Sequence, residues 1–596
     1  MRHPGAMKAR NTGMKRFLLV FSVAMLAGCS SPEKPARVPA EIAWQPWSDS
    51  AFETAKRENK LVLLDLGAVW CHWCHVMDRE TYGDAEVAKY LGEHFVAIHV
   101  NQDERPDLAN HYEDYGWPAT ILFAADGTEL GKFRGFMSPD RLLALLKAFV
   151  ADPTPGPSAM QSAQAVIPGP STLSRELDDA LHEKWEAAYD HKEQGWGTVH
   201  KYLDPDCVEL AMAEGRDDMA RGTLDAMLGL IDPVWGGVYQ YSDGGVWTNP
   251  HFEKIMSYQA EDLRIFALAY RVFGDEKYLK AARDIERYLL TFLRSPEGAF
   301  YASQDADLVP GEHAGEYFSL GDAERRTKGI PRVDKHLYTR ENGWAIVGLV
   351  SLYHATGEAS SLKAAITAAH WVLENRALPG GGFRHDESDS GGPYLADSLA
   401  MARAYFEISQ ATRVPEWKTL SILALADLNR LFRVSSGYAT AAVSTESAGK
   451  PWAPRPQTDE NIGIARLAIR WHHLVGPPDP RDAADHANSH LAAVARDASG
   501  VRAAGLLLAA RELASTPAIV VVVGDWEDPS TQALLRAAES APSPYFVIQR
   551  VDPGASEEYV LDGNSPTAYV CTDAACNGPY HDPAALRQAV SPPRRR

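Results

Sequence analysis

The 596-residue chain is too long for one hydrophobic core, so two or three domains are expected. Its 45% hydrophobic and 23% charged content is ordinary for globular protein, and no apolar run beyond the N-terminus is long enough to cross a bilayer. A formal charge of −20 excludes nucleic acid as a partner, because phosphate binding requires a basic face.

Residues 1–29 read as an export signal ending in a lipidation site. Lys15 and Arg16 precede the short apolar run Phe17 to Ala27, and Leu26-Ala27-Gly28-Cys29 has the form of a bacterial lipobox. Cys29 is therefore expected to carry a lipid that holds the mature chain at the membrane, facing the periplasm. Ser30 after the cysteine favours the outer membrane, and residues 30–43 read as a tether. Export places Cys71, Cys74, Cys207, Cys571 and Cys576 in an oxidising compartment. Five is odd, so one thiol lacks an intrachain partner; two close pairs and a lone Cys207, a buried small hydrophobe, is the natural parsing.

Residues 44–150 alternate strands and helices. Leu61 to Leu66 and Phe95 to Val100 are buried-strand runs, with helical spacing across 75–93 between them. Ala119 to Phe123 is a third strand, Asp126-Gly127 a hairpin turn into 128–134, and Ser138-Pro139 the start of a helix through Val150. This order is that of a thioredoxin fold.

Cys71-His72-Trp73-Cys74 follows the first strand and opens a helix, where the dipole and free N–H groups stabilise a thiolate. Cys71 is the expected nucleophile, and Cys74, one turn on, resolves the mixed disulfide. Trp70 precedes the motif, Asp65 lies six residues before Cys71 as a buried proton shuttle, and Trp117-Pro118 resembles the cis-proline loop that takes up substrate backbone. His72 between the cysteines favours the thiolate, so the pair is expected to be more oxidising than thioredoxin. Cys71 to His75 also spells C-x-x-C-H, a haem-attachment signature, and zinc or copper on Cys71, Cys74 and His75 is a further alternative. Haem attachment requires neither the preceding strand nor the Trp-Pro loop, and a structural zinc needs a second ligand pair, for which His99 and His111 stand at no recognisable spacing, so no cofactor or metal is expected.

Residues 151–170 are a Pro-rich linker, and 171–515 hold recurring long helices separated by Gly-aromatic loops such as Gly237-Val238-Tyr239 and Gly382-Phe383. Stacked helical hairpins can close into a ring, and about eleven helices are legible, close to the twelve of six hairpins. Residues 516–590 return to α/β, with a strand at 518–523, a helix at 529–541 and a strand at 545–548. Cys571 and Cys576 there form a structural disulfide or remain unpaired.

His72 to Met77, Phe95 to Val100, Asp103-Glu104-Arg105-Pro106-Asp107 and Gly116-Trp117-Pro118 together resemble the spermatogenesis-associated protein 20 family. Trp247 to Lys254, Phe300 to Asp307 and Ala568 to Cys571 continue the match, so the resemblance covers roughly 44–590. It implies a thioredoxin fold followed by a six-hairpin (α/α) toroid with a small C-terminal α/β segment. Similar toroids of glycoside hydrolases and 2-epimerases hold sugars. Relatives usually read Asp-Lys-x-Leu-x-x-Trp-Asn-Gly; here Lys335, Asn342 and Gly343 remain, but Glu341 replaces the tryptophan.

His251, Glu253, Asp305, Asp307, Asn342 and Asp397 are the candidates for a toroid pocket, where paired carboxylates supply glycoside acid–base chemistry. The leading expectation is a lipid-anchored thiol–disulfide oxidoreductase acting on envelope proteins. The alternatives are a carbohydrate-active or sugar-binding protein with an accessory thioredoxin domain, and a client-binding protein without enzymatic activity.

Overall fold

The computed structural model describes residues 41–590, apart from 113–115, 159–165, 390, 443–451, 476–478 and 573–574. The signal segment, Cys29 and residues 30–40 of the tether lie outside the described residues.

The N-terminal domain runs α1 (Asp49–Glu58), β1 (Leu61–Gly67), α2 (His72–Met77), α3 (Ala85–His94), β2 (Phe95–Asn101), α4 (Pro106–Tyr112), β3 (Ala119–Phe123), β4 (Glu129–Arg134) and α5 (Pro139–Ala151). The sheet order is β2-β1-β3-β4, with β1 parallel to β2 and antiparallel to β3. Central β1 is covered on both faces, which is why it reads as an unbroken apolar run interrupted only by Asp65. The single helix expected over 75–93 is two. A wide turn at Asp78–Tyr82 ends the first, and Asp84 caps the second by accepting from the N–H groups of Glu86 and Val87.

The helical region comprises α6 (Arg175–Ala187), α7 (Pro205–Glu214), α8 (Asp217–Met227), α9 (Met256–Phe273) and α10 (Glu276–Tyr288). Two short helices, α11 (Gly315–Phe318) and α12 (Asp322–Lys328), precede α13 (Thr339–Thr356), α14 (Ala359–Arg376), α15 (Leu395–Thr412), α16 (Pro415–Leu431), α17 (Thr458–His472), α18 (Arg481–Val494) and α19 (Gly500–Ala514). Helices α7, α9, α13, α15, α17 and α19 each pack on the next, and α19 returns to α7. Helices α8, α10, α14, α16, α18 and α6 back them from outside, giving a closed six-hairpin toroid. The inner helices are buried on nearly every face, as α13 and α15 illustrate, and a ring of helices apolar all round is what such sequences demand. Their close approach needs small residues: a Cβ on Gly343 would lie 2.6 Å from the Cβ of Ala400.

Short strands join the hairpins on one side of the ring: β5 (Tyr241–Ser242), β6 (Pro250–His251), β7 (Lys254–Ile255), β8 (Ser303–Gln304) and β9 (Val333–Asp334). The inner helices enclose a cavity of about 750 Å³.

The C-terminal segment has β10 (Ala518–Val523), α20 (Pro529–Glu539), β11 (Phe546–Val551), β12 (Thr567–Cys571), β13 (Cys576–Tyr580) and α21 (Pro583–Val590). Its order, β11-β10-β12-β13, repeats that of the N-terminal sheet, with the same parallel and antiparallel pairings. Asp528 caps α20 where Cys71 caps α2, and Thr531 stands where Cys74 stands. A Cβ on Gly524 would collide with Thr531 Oγ1, as one on Gly67 would touch Cys74 Sγ at 3.4 Å. Pro566 precedes β12 as Pro118 precedes β3. The segment is thus a second thioredoxin-type sheet without the cysteine pair. Cys571 and Cys576 form a disulfide across its β12–β13 hairpin, and Cys207 is buried in α7.

Candidate active site

Cys71 is the N-cap of α2; its sulfur accepts from the Cys74 N–H at 3.2 Å, and the two cysteines are joined as a disulfide. A helix N-terminus aimed at this sulfur stabilises a thiolate once the bond opens. The Trp117–Pro118 peptide is cis, and Trp117 packs with Trp70 and both cysteines. Trp70 donates its indole N–H to Asp103 at 2.8 Å.

Asp65 lies on β1 and is buried. It accepts from Tyr82 at 3.1 Å and pairs with His99 Nδ1 at 2.9 Å. A Cβ on Gly67 would reach both Cys74 Sγ at 3.4 Å and His99 Cε1 at 3.9 Å, so this histidine stands behind Cys74. Its side chain is 44% exposed, and Asp65 raises its pKa above the ordinary histidine value. The buried Asp65 carboxylate is thus linked through His99 to the solvent-facing side of the strand. Sequence reading missed His99; its signal was a polar residue at an outward position of an otherwise apolar strand.

The toroid closes over this motif. Antiparallel pairing of Lys254 with Gln304 sets the adjacent Glu253 and Asp305 side by side at the strand ends. His72 Nδ1 meets Asp307 Oδ1 at 2.7 Å, and His75 Nδ1 meets Asp307 Oδ2 at 3.1 Å. His75 Nε2 donates to the Val69 carbonyl at 3.0 Å, and the Gly311 N–H also donates to Asp307. Burial opposes ionisation of Asp307, but these donors override it and hold its pKa at about 2. Glu253 accepts from the His72 N–H at 3.4 Å, and burial lifts its carboxyl to about 7. Burial likewise lifts Asp305 to about 6 and lowers His251, stacked on Tyr241 at 4.2 Å, to about 4. Ile255 and Tyr258 complete an apolar cover, leaving Cys71 4% and Cys74 7% exposed. Trp73 is the exposed edge of the motif at 43%.

His75, Asp305 and Asp307 offer ligand atoms within 4.8 Å of one another. The ring nitrogens of His75 bond Val69 and Asp307, so this group also ties α2 to the toroid.

These positions correct the sequence assignment of the toroid pocket. None of His251, Glu253, Asp305, Asp307, Asn342 and Asp397 is among the residues lining the central cavity. The first four face the redox motif. Asn342 bonds the backbone of Phe300 and Tyr338, pinning a loop. Asp397 accepts from the Arg340 N–H and pairs with His385 at 2.9 Å, whose Nε2 donates to the Asp103 carbonyl of the thioredoxin domain. The cavity is lined instead by charged pairs on inner helices, including Glu209, Arg264, Arg403 and Arg466. Their signal in the sequence is charge at three- and four-residue spacing inside otherwise apolar helices.

A family model described as a protein of unknown function, DUF255, and labelled as a thioredoxin-like DsbH domain matches residues 25–140. Spermatogenesis-associated protein 20 of Homo sapiens is 21% identical over 92% of this chain and 90% of its own length. The chain is similar to that protein almost from end to end. The Mus musculus counterpart is 26% identical over 45% of this chain, a match spanning only 39% of the relative's length. A thiol:disulfide interchange protein DsbD of Colwellia psychrerythraea is 33% identical over 17% of each chain. Among solved structures, cellobiose 2-epimerase from Bacillus thermoamylovorans aligns with a TM-score of 0.40 and 9% identity, covering 53% of this chain and 85% of that one.

Proposed function

We propose that this chain is a thiol–disulfide oxidoreductase of the bacterial envelope, lipid-anchored at Cys29 and facing the periplasm, whose redox site is completed by its toroid. The observation that carries the reading is the Cys71–Cys74 disulfide at the start of α2, beside cis-Pro118 and over the Asp65–His99 pair. The local likeness to DsbD-type interchange proteins supports it.

Starting from the disulfide, a substrate thiolate attacks Cys71 Sγ, and the bond to Cys74 breaks with the electron pair leaving on Cys74. Asp65 and His99 relay a proton from solvent to the departing Cys74 thiolate. A second substrate thiolate then attacks the substrate sulfur of the mixed disulfide, and Cys71 leaves as a thiolate stabilised by the N–H groups of α2. The substrate dithiol becomes a disulfide and the cysteine pair is reduced. Trp70, Trp117 and Pro118 present the substrate segment, with Trp73 at the open edge. The envelope thiol proteins so engaged are the proposed partners.

The test runs the same exchange in reverse with Cys74→Ser: its free Cys71 thiolate attacks the disulfide of an oxidised substrate, and without Cys74 to resolve it the mixed disulfide persists. Envelope proteins should remain covalently attached to Cys71 and be released by reductant. Recovery of no more than a Cys71→Ser/Cys74→Ser control recovers would sink the reading.

A further inference from the structure

The cavity inside the toroid differs in charge between its wall and one end. Along the wall, Glu209 pairs with Arg264 at 2.6 Å and with Arg466. Arg264 also holds Glu261 at 2.6 Å, Arg466 holds Glu512 at 2.8 Å, and Arg403 reaches Glu261 at 3.1 Å. Arg466 also reaches Asp206 at 3.4 Å, so four carboxylates face three guanidiniums and that stretch carries no excess of positive charge.

The end built on the C-terminal segment is not balanced. Arg271, His354, Glu407, Arg470 and Phe546 line it. Arg470 pairs with Glu407 at 2.6 Å, but Arg271 meets only the carbonyls of Ala541 and Ser543. Arg413 and Arg536, close behind, share the single carboxylate of Glu539. Four guanidiniums therefore stand against two carboxylates, with Arg536 the most open of them to solvent and Arg413 and Arg536 behind the cavity lining. The excess is visible in its neighbours: burial and the surrounding arginines lower Arg271 to about 9 and hold His354 well below the usual histidine range.

Three polar atoms at this end have nothing to bind. Arg271 Nε, Arg470 Nε and His354 Nε2 are buried without a hydrogen-bond partner among the described residues. Arg271 and His354 are 7% and 3% exposed. The three side chains converge on one residue: the Arg271 guanidinium lies 5.0 Å from the Phe546 ring centre, the His354 ring 6.5 Å from it, and Arg470 Nη2 is 3.5 Å from the Phe546 carbonyl. Unbonded donors and uncompensated charge in one buried place are costly unless an acceptor of opposite charge is bound there.

We propose that this end of the toroid cavity is an oxyanion site, taking the phosphate or carboxylate group of a small organic molecule. Guanidinium groups suit either group, because their planar donors match its oxygens. A cavity of about 750 Å³ has room for the body of a small metabolite beyond the anionic group. Nothing in this assignment depends on the redox chemistry of Cys71 and Cys74.

The experiment is calorimetric titration of the full chain with inorganic phosphate and, separately, with glucuronate, at constant ionic strength maintained with chloride. Saturable binding of one per chain is expected for at least one probe. Phosphate alone assigns a phosphoryl ligand, and glucuronate alone a carboxylate. Arg470→Gln should weaken binding about tenfold, since it removes a buried cation and leaves Glu407 behind. Glu407→Gln should tighten binding several-fold, a gain that loss of folding cannot produce. No saturable binding of either probe up to tens of millimolar, or two variants that shift affinity in the same direction, would overturn the site.

Discussion

Replacing Asp307 by asparagine removes the charge that clamps the redox helix to the toroid while keeping the side chain's shape. Asp307 receives His72 at 2.7 Å, His75 at 3.1 Å and the Gly311 N–H at 2.7 Å, with only 1% of its side chain exposed. Solvent screening is therefore slight, and hydrogen bonds to a buried carboxylate contribute about 1.5–3 kcal/mol each. An asparagine oxygen in place of Oδ2 can keep the bonds from Gly311 and His75, which share that atom, but its NH₂ group then faces the His72 N–H in place of Oδ1. Losing the charge-assisted His72 bond costs about 1.5–3 kcal/mol of docking free energy, a shift of about one to two orders of magnitude in the docked-to-open ratio. The readout is alkylation of Cys71 by iodoacetamide in a Cys74→Ser background, because the toroid leaves Cys71 only 4% exposed. Alkylation should accelerate at least tenfold, and amide exchange over α2 should accelerate with it. Glu58→Gln, which disturbs an exposed ion pair 66% and 41% open to solvent, is the control and should change neither. Rates within twofold of the parent in Asp307→Asn would refute the clamp.

Stability should fall as pH rises from 6.5 to 8. Burial lifts Glu253, Asp103 and Asp206 to about 7, while carboxylate partners lift His182, His336 and His385 to about 9, so the folded chain binds more protons than the unfolded one in this window. A urea midpoint that is flat or rising over that range would contradict these environments. Glu209→Gln should cost about 3–5 kcal/mol in the same denaturation, because it strips a carboxylate from Arg264 and Arg466; a loss under about 1 kcal/mol would deny that the network is buried. Asp528→Cys with Thr531→Cys, in a chain lacking Cys71 and Cys74, should form a reducible disulfide detected as a two-dalton mass loss, and persistent free thiols would refute the equivalence of the two sheets.

What was legible in the sequence is what depends on neighbours along the chain. The β1 run, the cysteine pair at a helix start and Pro118 before β3 follow from local pattern, and the structure places them in one site. The toroid was legible as repetition of apolar helices, about eleven against the twelve that build the six hairpins. Contacts across hundreds of residues were not legible. His251, Glu253, Asp305 and Asp307 looked like a sugar site because they are titratable, three of them acidic, and lie in inter-helix loops. Only the pairing of β7 with β8, and the docking of α2 upon them, turns those loops toward Cys71. The second thioredoxin-type sheet was hidden for a different reason. Strand order and pairing define it, whereas the residues that advertise such a fold, the cysteines, are Asp528 and Thr531 there.

The redox motif and the cavity are physically adjacent, and Tyr258 is the residue that joins them. It packs against the cysteine cluster and also lines the cavity, with its ring 6.3 Å from that of Tyr202. A change of oxidation state alters the volume and charge at Cys71 and Cys74, and Tyr258 is the first side chain on the cavity side to register it. If the two sites communicate, occupancy of the cavity must change the Cys71–Cys74 reduction potential, and by linkage the oxidation state must change ligand affinity by the same factor. Measuring phosphate affinity on oxidised and on reduced protein decides this. Equal affinities would mean that the toroid serves the redox site only through the Asp307 and Glu253 face, and that the cavity answers to a separate ligand.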